Sequence, residues 1–183
     1  IMALSKIDGT NLIAPTIPVA SGGTGSATLA GAGLANTPYF QAAMSTASQA
    51  LSDNTAAKVA FNVATYDSGS TYDTTNYRFT PGVAGKYLIS TSVYNSADSD
   101  SEMQTTMCDL RKNGTIINYI GNLDSRTAGY GRGKVCAGSA IIDLGASDYV
   151  EVFATVNTVS GGAARVNGET TQTWFCGYKL IGI

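Results

Sequence analysis

From Asp148 to Val156 every second residue is aliphatic: Val150, Val152, Ala154 and Val156 share one face of an extended chain, with Tyr149, Glu151 and Phe153 on the other. A period of two marks a strand with one buried face, and a helix cannot satisfy it. Lys58 to Thr65 sets Val59, Phe61 and Val63 on one face by the same rule. Gly85 to Tyr94 places Tyr87, Ile89 and Val93 on one side and Leu88 and Tyr94 on the other. Trp174 to Ile181 is apolar on both sides, the pattern of a strand inside a sheet. Asn113-Gly114 and Asn167-Gly168 lie between such runs. A type I′ turn needs positive φ at both central residues, which Asn and Gly tolerate, so each dipeptide predicts a hairpin. Short strands spaced by turns through residues 38–183 predict an all-β sandwich or jelly roll without internal repeats.

Composition supports that class. Ten of the 13 acids are Asp, a turn residue, and only Glu102, Glu151 and Glu169 are Glu. Glu, Lys and Gln, which favour helices, are scarce, while Val, Ile, Thr and Tyr are plentiful. The chain has no histidine, which removes the usual general base, the Ser-His and Cys-His nucleophile pairs and most zinc and copper sites. A net charge of −2 with a pI near 4.9 carries no footprint for nucleic acid. Cys108, Cys136 and Cys176 are odd in number and far apart, and so read as buried free thiols rather than a disulfide or metal framework. Lys6 and Asp8 interrupt the apolar start, so it does not read as a signal peptide. No apolar run is long enough for a membrane span. The expectation is a soluble protein made in a reducing cytoplasm.

Residues 9–52 hold no charged side chain. Gly, Ala, Ser and Thr cannot bury enough apolar surface to offset about 1–2 kcal/mol of backbone entropy per ordered residue. Yet the segment lacks the charge that keeps linkers solvated. It reads as a strand of chain ordered against other chains, with a flexible tail as the alternative. Ser21 to Gly25 (SGGTG) demands a turn or a close backbone approach, and Ser26 to Leu34 could form one short Ala-rich helix. Gly22, Gly23 and Gly25 are not followed by the Gly-Lys-Ser/Thr of a phosphate loop. The boundary falls near residue 37, giving an N-terminal segment 1–37 and a domain 38–183.

Within that domain, Phe61, Asp67, Tyr72, Phe79, Gly85 and Tyr87 reproduce a chain of aromatics, a turn acid and a glycine at fixed spacing. In this the chain resembles the globular head of the complement component 1q family, a ten-strand jelly roll shared with tumour-necrosis-factor-like proteins. Leu110 to Gly114 (LRKNG), Asp148 to Val152 (DYVEV) and Phe175 to Tyr178 (FCGY) resemble later strands of the same family. Ile89 and Thr91 stand where the family usually has aromatics. The resemblance implies structural roles for Phe61, Phe79, Gly85 and Tyr87, each aromatic contributing about 1.5–3 kcal/mol as a core anchor. It also implies a homotrimer with flat, partly apolar faces about a three-fold axis. Ile17 to Gly25 (IPVASGGTG) is similar to a segment of bacteriophage tail-fibre proteins that likewise leads into an Ala-rich stretch. That similarity implies a virion anchor at Gly22, Gly23, Thr24 and Gly25.

Two side-chain groups are candidate sites. Asp98, Asp100 and Glu102 alternate, so an extended chain would put three carboxylates on one side. They could hold calcium, which takes six to eight oxygens, or simply form a solvated loop. Tyr130, Arg126 and Arg132 combine rigid apolar area with polar tips and suit receptor recognition. No cofactor is otherwise expected, and no enzyme activity. Taken with the two resemblances, these features predict a bacteriophage virion structural protein. It would be a trimeric fibre or spike head on tail or capsid, contributing to attachment at a host-surface glycan or protein. The N-terminal segment would hold other virion proteins. The alternative is a capsid decoration or cement protein without receptor binding. A secreted cytokine-like ligand is disfavoured by the same apolar start.

Overall fold

A computed structural model of the chain describes residues 26, 28, 31–32, 34–45, 47–97, 102–126, 131–161 and 163–181. The chain divides into two units, Ile1–Asn36 with Ile181–Ile183, and Thr37–Leu180. In the first unit the Ala32 amide donates to the Thr28 carbonyl at 3.0 Å. Of the helix expected over 26–34, residues 27, 29, 30 and 33 lie outside the described residues; Ser26 and Thr28 form bends, Gly31 and Ala32 a turn and Leu34 irregular chain, rather than a helix.

The larger unit is built from strands. In chain order they are β1 (Tyr39–Ala43), β2 (Gln49–Leu51), β3 (Ala57–Lys58), β4 (Val63–Asp67), β5 (Tyr72–Asp73), β6 (Arg78–Phe79), β7 (Gly85–Ala97), β8 (Met103–Lys112), β9 (Thr115–Asp124), β10 (Gly133–Leu144), β11 (Val150–Thr158), β12 (Ala164–Val166) and β13 (Trp174–Lys179). A 3₁₀ turn at Val159–Gly161 is the one named helical element among the described residues. Thirteen segments stand where ten strands were expected, because several are only two or three residues long. They form two antiparallel sheets. The first runs β2-β12-β7-β13-β1-β4, with β10 along the other edge of β7; the second runs β5-β6-β11-β8-β9, with β3 also on β11. The fold is the two-sheet jelly roll that the alternation predicts.

The core lies between the sheets. Phe40, Phe61, Tyr72, Phe79, Tyr87 and Phe175 are buried in one cluster. Phe40 stacks on Phe79 at a centroid distance of 4.3 Å and meets Phe175 edge-on at 4.8 Å, while Phe79 meets Tyr87 at 5.6 Å. Aromatic pairs in these arrangements contribute about 0.5–1.5 kcal/mol each beyond area burial. The two tyrosines satisfy their hydroxyls: Tyr72 donates to the Phe61 carbonyl at 3.0 Å and Tyr87 to the Val83 carbonyl at 2.6 Å. Burial raises both phenols, that of Tyr87 to about 12. The aromatic signature is therefore a single packed body. Its turn acid, Asp67, accepts from the Thr71 amide at 2.8 Å and the Tyr72 amide at 3.1 Å, bending the chain where Gly69 and Ser70 take positive φ.

Ile89 and Thr91 are fully buried. They face the inter-sheet core, and the Thr91 hydroxyl donates to the Trp174 carbonyl at 2.9 Å. Strand β13 is central, between β7 and β1, and Gly177 there admits no side chain: a Cβ would sit 2.5 Å from Ile89 Cδ1 and 2.9 Å from the Leu88 carbonyl. Asn113 and Gly114 adopt φ of 52° and 81° and close the β8–β9 hairpin as expected.

Three expectations are corrected. The charge-free run to residue 52 is not all held for other chains: its last part forms β1 and β2 of the chain's own first sheet, and Phe40 is in the core. Lys58 to Thr65 is not one strand. The chain leaves the second sheet after Lys58 and enters the first at Val63, so Val59 and Phe61 are buried at the crossing while Val63 is exposed. Asn167-Gly168 is not a hairpin turn. β12 pairs with β2 and β7 rather than β13, and Gly168 is required by close approach instead: its Cβ would lie about 2 Å from the Ser45 and Ala47 carbonyl oxygens.

Candidate functional site

The two sheets turn different outer faces to their surroundings. In the first sheet, register places Tyr39 opposite Tyr178, Tyr178 opposite Leu88 and Leu88 opposite Ile141. These four residues make one apolar row across β1, β13, β7 and β10. Ile141 is 63% exposed, Tyr39 and Tyr178 are exposed and Leu88 half-buried. The next row, Gln41, Cys176, Ser90 and Ser139, is small and weakly polar. Tyr66, opposite Gln41 on β4, is exposed on the same face.

The second sheet carries charge and amides. Asp109 on β8 is 1% exposed and accepts from Arg111 Nε at 2.7 Å. The Arg111 guanidinium lies 3.7 Å over the Phe153 ring of β11, a desolvated cation–π contact. Beside it Lys58 pairs with the buried Glu151. Further along the same face, Thr105 stands between Asp124 of β9 and Asn157 of β11, and Met107 between Asn122 and Thr155. These six residues, with Asn54 and Arg126, line a cleft of about 380 Å³. Arg126 donates from Nε to Asp124 Oδ1 at 2.9 Å and its terminal nitrogen pairs with the other carboxylate oxygen. Those hydrogen bonds hold the Asp124 carboxyl down, at about 2.

Between the sheets sits one buried polar cluster. Asn95 Nδ2 donates to Thr106 Oγ1 at 2.8 Å and to Cys108 Sγ at 3.1 Å, with Cys136 Sγ at 3.9 Å. All three cysteines are free, Cys108 and Cys136 buried and Cys176 half-buried. The hydrogen bond to Cys136, together with burial, pushes the Cys108 thiol well up.

Of the residues singled out in the sequence, Gly22, Gly23, Thr24, Gly25, Asp98, Asp100 and Tyr130 lie outside the described residues. Glu102 is exposed, its carbonyl accepting from Val159 N at 2.8 Å. Arg126 lines the cleft, whereas Arg132 is exposed at the start of β10, its carbonyl bonded to the Ala97 amide. Phe61, Phe79 and Tyr87 are fully buried, and Gly85 begins β7 at φ 154°. The cleft itself was not picked out from the sequence. Its signal was the continuation of the β11 alternation beyond Phe153, through Thr155 and Asn157, opposite Thr105 and Met107.

Strand order, core and faces together define a tumour-necrosis-factor-like jelly roll. The chain belongs to the C1q domain family, whose model matches residues 39–180. Among solved structures it is similar to Eiger TNF from S. frugiperda, with a TM-score of 0.55 and 16% identity over 79% of this chain and 93% of that one. The globular domain of zebrafish complement 1qA gives a TM-score of 0.53 and 15% identity, over 79% and 98%. Murine APRIL at pH 8.0 gives 0.55 and 13%, over 78% and 98%. At these identities the likeness is one of fold. Among curated proteins none matches this chain.

Proposed function

We propose that this chain is a bacteriophage virion structural protein: a homotrimeric, non-enzymatic head that an N-terminal segment, residues 1–37, fixes to tail or capsid, and that contributes to attachment at the host surface. The observation that carries the trimer is the exposed row Tyr39, Tyr178, Leu88 and Ile141 on one sheet. A contiguous apolar row on an outer face costs solubility unless it is covered, and C1q and TNF-like domains cover such faces with copies of themselves. The virion assignment rests on the similarity of Ile17 to Gly25 to tail-fibre segments, within a charge-free run that reaches the start of the domain near residue 37. That run suits burial between chains, with other virion proteins as its partners and the virion as its location.

Purified protein should compete with virions for adsorption to host cells in a dose-dependent way. Unchanged adsorption at saturating dose would remove the attachment role. The charge-free segment also favours a second reading, capsid cement. Under it, particles lacking the protein would rupture or lose genome at lower temperature while adsorbing normally.

A further inference from the structure

We propose that the cleft on the β8–β9–β11 face is a binding site for a neutral saccharide; its place in attachment rests on the reading of the domain as an attachment head. Among the described residues, the side chains of Thr105, Asn122, Thr155 and Asn157 make no hydrogen bond. All four line one cleft on one face, fixed there by the continuous ladders that join β8 to β9 and β11. Each amide and hydroxyl both donates and accepts, as each sugar hydroxyl does. An amide's oxygen and nitrogen together match a pair of neighbouring sugar hydroxyls.

The charges in the cleft select against ionic ligands. Asp124 and Arg126 hold each other, so neither an anion nor a cation finds a free counter-charge there. Met107, half-buried between Asn122 and Thr155, supplies a small adaptable apolar patch for the C–H face of a pyranose. Tyr119, opposite Asp109 one step further along β9 and 61% exposed, places an aromatic side chain beside the cleft. A cleft of about 380 Å³ falls in the range of small-ligand sites, about 300–1,000 Å³. It has too little apolar lining for an aryl or acyl ligand. The ladders fix the backbone from which these side chains project, so binding has only their rotamers to order.

The test is saturation-transfer NMR on the full-length protein. The neutral probes are maltotriose, cellotriose, mannotriose and N,N′-diacetylchitobiose, with sialyllactose and a sulfated disaccharide as charged counterparts. The expected result is transfer to at least one neutral probe, with a Kd of about the millimolar level. In the double variant Asn122→Ala/Asn157→Ala that Kd should rise about tenfold or more. These two side chains bond to nothing else described in the fold, so the variant should keep the parent's melting temperature. Absence of transfer from every neutral probe, transfer unchanged in the double variant, or transfer from the charged probes alone would overturn the site. The attachment reading fails separately. If the double variant loses the sugar yet still competes for adsorption, the cleft remains a saccharide site without a part in attachment. If the head binds sugar and never competes at cells, attachment falls and the site stands.

Discussion

The outer faces of the two sheets are made by the same β-alternation and reach opposite ends. On the first sheet, the positions pointing away from the core hold Tyr39, Tyr178, Leu88 and Ile141 in one row and small residues in the next. On the second they hold a buried ion pair, Asp109 with Arg111, and a cleft of amides and hydroxyls. The inner faces do not differ in this way; apart from the buried Asn95–Thr106 pair both are mainly apolar, and they meet in a main core with a smaller cluster of Ala97, Met103, Val156 and Ala164. The lesson is that the core specifies the jelly roll, while each outer face specifies what that sheet meets. An apolar row that is flat and exposed is suited to a second protein surface. A polar face whose donors and acceptors are unpaired within the chain is suited to water or a hydroxylated ligand.

The sharpest way to break this comparison is to put a charge on the apolar row. Ile141→Glu should abolish the proposed trimer, because a carboxylate without a partner in the interface proposed there is far costlier than the contact it replaces. The native mass should fall to one chain with the secondary structure retained. Asn157→Ala on the other sheet should leave the mass unchanged. A trimeric Ile141→Glu protein would show that the row faces solvent.

Next in size is the ion pair on the polar face. Asp109→Ala removes one partner of a pair whose carboxylate is almost wholly buried. It should cost about 3–5 kcal/mol, read as a drop in the denaturation midpoint. A change below about 0.5 kcal/mol would place Asp109 among ordinary surface groups.

The β8–β9 hairpin comes third. Asn113 Nδ2 donates to Asp148 Oδ1 at 2.7 Å and Asn113 Oδ1 accepts from the Tyr149 amide at 2.9 Å, all while its backbone holds φ 52°. Asn113→Ala loses these bonds and strains the turn, and should cost about 2 kcal/mol by the same denaturation measurement.

Those elements also show how far the sequence could be read. Val150, Val152, Ala154 and Val156 are buried because a strand that stays in one sheet keeps its period. Asn113-Gly114 was legible because its geometry is local. Lys58 to Thr65 misled because its period runs unbroken through a change of sheet, and the crossing is set by contacts distant in sequence. Asn167-Gly168 misled for a similar reason: Gly168 answers to backbone oxygens of residues 45 and 47, which no local pattern announces. The cleft was hidden because most of its residues come from three strands, with Asn54 and Arg126 from loops beside them, and they carry no motif. Arg126 alone among them was singled out, and for its side-chain type rather than its setting.

The smallest effect is on acid stability. Lys112, Asn113 and the Gly145 amide all bond the Asp148 carboxylate and hold its pKa at about 2, and Asp124 is held at about 2 by Arg126. Both folded values lie below the ordinary carboxylate value of about 3.9. The stability these groups contribute is therefore present above that value and is lost as pH falls towards 2. Asp148→Asn should flatten the fall in melting temperature between about pH 4 and pH 2. An unchanged slope would mean that the Lys112 pair does not couple to folding.

The central claim is that copies of this chain cover the apolar face of the first sheet. Light scattering of the full-length protein at micromolar concentration tests it most directly. The account predicts a native mass three times the 18.8 kDa of one chain, stable to dilution. A mass of one chain would contradict it, leaving the row Tyr39, Tyr178, Leu88 and Ile141 to be covered by something else.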